Sequence, residues 1–310
     1  MDSYIGIDTS NYRTSVCVFR ADGYKNIGRL LPVEKGKAGL RQNDALFLHT
    51  KALPKLIGEL PNAGVIKKIG VSIRPRDEEG SYMPCFLAGA AAAHAMAYAS
   101  GAPVYKLSHQ AGHTLAGMYE NEESLLNMPE FITVHLSGGT SEILFVKNDM
   151  GKLQISRIGG TLDINAGQLI DRAGVMLGLS FPCGAELEKI SEGYPIDDIK
   201  VKTSLKGTYF NLSGHQNIIE KLHASGAPAP EISAYAIKAV TDTLLSALLA
   251  LETPLPVLFV GGVSANGYLR DVMRQRLSDV YFVSPALSGD NALGCAYGAY
   301  LSDLRSKKSG

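Results

Sequence analysis

His109 and His113 stand four residues apart in SHQAGHTLAG, directly after an apolar run. On a helix that interval puts both imidazoles on one face, within reach of a single metal ion. Two histidines leave such a site short of donors. Asp290, in SGDNALG, is the best third candidate, since two imidazoles and a carboxylate suit iron or zinc. Plainer roles exist for each residue: a polar helix surface or one core histidine for the pair, and an N-cap for Asp290, which precedes a helical pattern. On the residues alone both readings stay open.

Three loops, 8–11, 137–140 and 261–266, follow apolar strands and are rich in Gly, Ser and Thr. Their N–H groups and hydroxyls suit a phosphate, with Asp8, Thr9 and Ser10 in the first. Any one of them is also an ordinary tight turn. Three at strand ends of one chain favour nucleotide or phosphate binding. Neither GxxxxGK[ST] nor a GxGxxG opening a βαβ unit occurs, so the P-loop and dinucleotide-binding classes lack their phosphate chemistry. No GxSxG elbow and no HExxH is present, which removes the usual hydrolase signatures.

The elements that must position these residues follow from periodicity. Residues 3–8 and 13–19 read as a hairpin, and 131–137 with 141–146 as another. Aligned, they keep their apolar positions in register: Ile5 with Ile132, Ile7 with Val134, Ser10 with Ser137, Val16 with Ile143. A strand, polar turn, strand unit repeated half a chain apart points to a duplicated fold. Between the hairpins, helix 44–60, strand 69–73, helix 85–100, strand 104–107 and a helix from 109 alternate as in α/β layers. After them come strand 153–158, helices 166–177 and 185–191, an irregular stretch to about 230, helix 232–251, strand 257–260, helix 266–277, strand 281–283 and a last helix from 292.

The chain has 310 residues, 45% of them hydrophobic, a size that suits two lobes. The expected division is 1–106 and 107–291, with the final helix, 292–310, free to pack back on the first lobe. Thirty basic residues balance thirty acidic ones, so no broad positive field recruits nucleic acid unaided. Cys17, Cys85, Cys183 and Cys295 lie far apart with no CxxC, as reduced buried thiols do. The longest mostly apolar stretch, 86–100, is too short to span a bilayer, and no leader pattern opens the sequence. A cytoplasmic address without membrane association is the expectation.

The ordered series GIDTS, SHQAGH, LSGGTSE, TLDINAGQLIDRAGVMLGLSFPCG, FNLSG, GGVSAN and SGDNA resembles the successive motifs of the TsaD/Kae-type tRNA N6-adenosine threonylcarbamoyltransferases, once called M22 glycoproteases. The resemblance runs from about Tyr4 to Tyr300. It implies an α/β, two-lobed actin/sugar-kinase/heat-shock ATPase-like fold with duplicated lobes and a nucleotide and metal site between them. It implies one divalent metal ion, iron or zinc, on His109, His113 and Asp290. Threonylcarbamoyl-AMP, or an adenine nucleotide, would meet His135, Leu136, Ser137, Gly138, Gly139, Asp171, Gly184 and Asn266. The implied reaction moves the threonylcarbamoyl group to N6 of adenosine 37 in tRNAs reading ANN codons, with a helper ATPase and a dimerisation subunit as partners. No general base is identified.

The sequence departs from the family pattern at Thr140, in place of a histidine; at Gln168, in place of a glutamate; at Cys183 and Ala185 in FPCGA; and at FNLSGHQN, which lacks a basic position. Two alternatives fit the same motifs: a divergent paralogue with another acceptor or a nucleotide as substrate, and a non-catalytic scaffold partner. The scaffold paralogue lacks the histidine pair present here.

Overall fold

The computed structural model describes residues 1–10, 12–32 and 40–308, so Asn11 of the first loop and residues 309–310 of the segment expected over 292–310 lie outside it. The chain forms two compact units. The first comprises Met1–Pro129, Val146–Ser156 and Gly289–Gly310, the second Glu130–Phe145 and Arg157–Ser288.

In the first unit β1 (Asp2–Ser10), β2 (Arg13–Arg20) and β3 (Gly23–Leu30) form an antiparallel meander. There follow α1 (Gln42–Gly58), β4 (Val65–Arg74), α2 (Phe86–Ser100), β5 (Val104–Ser108), α3 (His109–Glu120) and the short α4 (Glu122–Leu125). The sheet order is β3-β2-β1-β4-β5, with β1, β4 and β5 parallel. Alternation sorts the side chains. Ile5, Ile7, Val16, Val18, Ile69 and Val71 form one core with Leu53, Leu56, Ala88 and Ala93 of α1 and α2. The opposite face carries Gly6 and Gly70, paired in register, then Asp8 and Ser72.

The second unit begins with β6 (Glu130–Leu136), β7 (Ser141–Asp149) and β8 (Lys152–Thr161), the far part of whose hairpin groups with the first unit. It continues through α5 (Ala166–Met176), α6 (Gly184–Ser191), β9 (Leu205–Lys206), β10 (Tyr209–Phe210), α7 (Ser213–Ala224), α8 (Ala229–Leu249), β11 (Val257–Val260), α9 (Gly267–Arg276), β12 (Val280–Phe282) and α10 (Pro285–Ser288). The last helix, α11 (Leu293–Lys308), belongs to the first unit.

The second sheet runs β12-β11-β6-β7-β8-β10-β9. Its β8-β7-β6-β11-β12 portion repeats β3-β2-β1-β4-β5, with β6, β11 and β12 parallel as β1, β4 and β5 are. The duplication legible in two hairpins therefore extends to five strands. Strand β3 escaped the pattern because its residues are half-buried or exposed, so no clean alternation marks it. Helix α7 fell in the stretch read as irregular, because only His215 and Ile219 are buried on it. The first division falls after Pro129, not near 106, because β5 pairs with β4 and α3 packs with β4 and α11.

Among the described residues one helix, α8, is long and apolar enough to cross a membrane, yet 78% of its apolar window is buried. It is the spine of the second core, where Ile232, Ala236, Val240 and Leu244 meet Ile170 and Leu187.

Candidate metal centre and glycine-loop site

Strand β5 runs straight into α3, and Ser108 caps the helix by accepting the Ala111 N–H at 3.0 Å. The cap fixes the first turn, so His109 and His113 project one turn apart on the same face. Their Nε2 atoms face each other at 3.1 Å. Asp290 arrives from the other end of the sequence on the loop ahead of α11. That helix sits close against the sheet and α3 because small residues permit it. A Cβ at Gly70 would lie 1.9 Å from the Cys295 carbonyl oxygen, and one at Gly294 1.8 Å from that of Gly112. The loop is pinned by Asn26, whose Oδ1 accepts the Ala292 N–H at 3.0 Å, and by Asn291, whose Oδ1 accepts from Leu293 at 3.1 Å.

Asp290 is consequently released from the N-cap role open to it in sequence. Its Oδ1 lies 3.3 Å from His113 Nε2 and 3.5 Å from His109 Nε2. The three donor atoms make a triangle with edges of 3.1, 3.3 and 3.5 Å. A tetrahedral ion with bonds of ~2.0–2.1 Å requires ligand spacings of ~3.3 Å, so the set fits such an ion with one coordination position left over. The donor chemistry fits equally: two imidazoles and a carboxylate, half-buried or buried, all converging.

The electrostatics follow from this crowding. Burial pulls the His109 imidazole down, but the Asp8 charge and the hydrogen bonds of Asp290 and Asp8 outweigh it and lift it to about 10. Burial pushes Asp290 up, and the hydrogen bonds and charges of both histidines hold it well below the carboxylate range.

The described residues of the first polar loop are enclosed. Asp8, Thr9 and Ser10 are all buried. Thr9 Oγ1 donates to the Cys85 carbonyl at 3.1 Å and accepts the Gly89 N–H at 3.2 Å, tying β1 to α2. The carboxylate of Asp8 accepts from Ser10 Oγ at 2.7 Å and lies 3.0 Å from His109 Nδ1. The side chains expected to receive phosphate are thus engaged within the protein.

In the second unit the 137–140 loop closes the β6–β7 hairpin, Ser137 N–H donating to the Thr140 carbonyl at 2.7 Å. His135 and Leu136 are buried in β6, Ser137 is half-buried, and Gly138 and Gly139 are exposed. Gly167 of α5 presses on this loop: a Cβ there would lie 2.7 Å from Gly138. The N-terminus of α5 thereby abuts the glycine pair. Its capping box is intact, with Gln168 accepting the Asn165 N–H at 3.0 Å, so glutamine fulfils locally what a glutamate would.

Further along α5, Asp171 Oδ1 accepts the Cys183 N–H at 2.8 Å, which places it beside Gly184 at the start of α6. Burial raises the Asp171 carboxyl against the lowering effect of that N–H. Cys183 is buried against Gly174, where a Cβ would meet it at 2.2 Å. Asn266 caps α9 by accepting the Leu269 N–H at 3.0 Å, and Glu188 accepts from Gly267 at 2.7 Å. Glu188 lies just past the FPCGA motif, beside Glu186 and Lys189, and nothing in its spacing distinguishes it from a surface acid. Its effect is to bind α6 to the start of α9. Asp171, Gly184 and Asn266 are thus joined through α6, and Ser137 to Gly139 through α5.

The model of the family TsaD: tRNA N6-adenosine threonylcarbamoyltransferase matches residues 48–297. A tRNA N6-adenosine threonylcarbamoyltransferase of Methanopyrus kandleri is 25% identical over 306 residues, covering 94% of this chain and 85% of its own. The protein of the same name from Streptococcus pneumoniae serotype 4 is 29% identical over 314 residues, covering 96% and 91%. Among solved structures, component A of the Acidaminococcus fermentans (R)-2-hydroxyglutaryl-CoA dehydratase superimposes with a TM-score of 0.54 at 13% identity, covering 98% of this chain and all of that one. A ROK family glucokinase of Streptomyces griseus gives 0.51 at 12% identity, covering 96% and 98%. These likenesses show the actin/sugar-kinase/heat-shock ATPase-like fold. With a family model spanning 250 consecutive positions that include both histidines, Asp290 and the loops 137–140 and 261–266, the chain belongs to the TsaD family of tRNA N6-adenosine threonylcarbamoyltransferases.

Proposed function

We propose that this chain transfers the threonylcarbamoyl group of threonylcarbamoyl-AMP to N6 of adenosine 37 in tRNAs that read ANN codons. The observation that carries the reading is the converging set His109, His113 and Asp290 within a chain of this family.

The reaction is an acyl transfer. The exocyclic amine attacks the carbamoyl carbon, the bond to the phosphate oxygen breaks, AMP departs and the amine loses a proton. His109, His113 and Asp290 would hold one divalent ion, iron or zinc. When bound, it supplies a Lewis acid for oxygen charge developing in the transition state. Gly138 and Gly139, two exposed residues beside the start of α5, the second donating its N–H to Ser137 Oγ at 3.3 Å, would turn their N–H groups to the adenylate's phosphate or threonylcarbamoyl part. His135, Leu136 and Ser137 would shape that loop from β6, with Asn266 on the same ligand. Asp171 and Gly184 would receive the ribose or base. A helper ATPase and a dimerisation subunit complete the proposed system, since the balanced charge of the chain offers tRNA little attraction.

The test is transfer itself: the purified chain with metal, partner subunits, threonylcarbamoyl-AMP and an unmodified tRNA, followed by mass spectrometry of nucleosides. Modified adenosine that disappears with His109→Ala supports the reading. Its absence beside a working relative would favour a paralogue with another acceptor.

A further inference from the structure

Behind the histidine pair stands a carboxylate that no motif singled out for this purpose. Asp8 is 1% exposed, in the strand whose neighbouring side chains Ile5 and Ile7 point into the opposite core. The pleat turns it to the α3 and α11 face, beside Ser72 of β4. Its Oδ1 accepts from Ser72 Oγ and faces His109 Nδ1 at 3.0 Å, while its Oδ2 accepts from Ser10 Oγ at 2.7 Å and Ser10 N–H at 3.3 Å. An ionised carboxylate only accepts, so Nδ1 of His109 carries the proton of that bond. The other ring nitrogen, Nε2, is the one 3.1 Å from His113 and 3.5 Å from Asp290.

We propose that Asp8, held by Ser72 and Ser10, is the positioning residue of the metal centre: it fixes the tautomer and ring plane of His109 so that Nε2 is presented to the cation. This rests on the metal reading above. A buried anion with every oxygen engaged repels a phosphate, so the geometry assigns Asp8 to the histidine and not to the nucleotide. Metal-ligating histidines commonly donate their second N–H to a carboxylate, which orients the ring and raises its basicity, and loss of that partner costs about 10–100-fold in affinity.

The test uses the full chain stripped of metal and titrated with Co2+, whose visible absorption reports ligation. Asp8→Asn keeps the shape and an acceptor but removes the charge, and Ser72→Ala loosens the carboxylate while leaving it ionised. The expected result is Co2+ binding weakened about 10–100-fold in Asp8→Asn and less in Ser72→Ala, with altered absorption bands. In a His109→Ala background neither change should weaken residual binding further, because both act through that ring. Asp8→Asn or, if it does not fold, Ser72→Ala binding as wild type with the same spectrum overturns the inference while leaving the metal centre standing. Wild type that takes up no Co2+, or His109→Ala that binds equally, removes the metal reading and this inference with it.

Discussion

In the proposed site a proton and the metal would compete for one atom, Nε2 of His109. In the metal-free protein its pKa is raised to about 10, burial being outweighed by Asp8 and Asp290. A base whose folded pKa lies above its unfolded value of ~6.5 contributes stability that is complete below ~6.5 and lost as pH rises toward the folded value. Thermal melts of metal-free protein should therefore fall between neutral pH and pH 10, and His109→Gln should flatten that decline. An unchanged slope in the variant would show that another group titrates there. Metal binding must also displace the proton, so affinity should increase with pH and uptake should release protons into a weak buffer. Asp290→Asn removes the anionic donor of the triangle and should abolish tight metal uptake, measured as bound metal after gel filtration.

At the scale of the element, the site depends on how closely α11 approaches the sheet and α3. Gly294→Ala places a methyl on the Gly112 carbonyl, and neither backbone can yield cheaply. A loss of ~1–3 kcal/mol in denaturant unfolding is expected, with weaker metal binding as the Asp290 loop shifts. Gly58→Ala, at the end of α1 with nothing within 4 Å, should be neutral or gain up to ~0.5–1 kcal/mol. Equal effects in the two variants would count against the packing argument. Helix α1 carries its own pH signal in His49, fully buried, with Nδ1 2.8 Å from Thr14 Oγ1. Burial lowers it to about 4 against the pull of Asp8 and Asp290. A histidine depressed in the fold gives stability that is present above ~6.5 and lost as pH falls toward the folded value. His49→Leu should therefore reduce the acid sensitivity of melting between pH 6.5 and 4.

At the scale of the whole molecule, equal numbers of acidic and basic residues predict that the isolated chain binds tRNA weakly at physiological salt. Filter binding should show tight association only with partner subunits present, and tight binding by the chain alone would contradict this. The sequence by itself determined the α/β alternation, the hairpin repeat and the histidine pair, because these are properties of residues near one another, governed by periods of 2 and 3.6. It also carried the glycine loops, since tight turns and close approaches leave small residues behind. Only the tertiary structure decided the rest. Asp290 lies 177 positions from His113, and its choice between capping a helix and facing two imidazoles was made by the seating of α11 on Gly6 and Gly70. Asp8 lies 101 positions from His109, and the strand alternation that turns it toward that ring has meaning only once β1 and β4 are paired and α3 is laid beside them. Contacts between distant segments are set by the packing of whole layers, which no local pattern records.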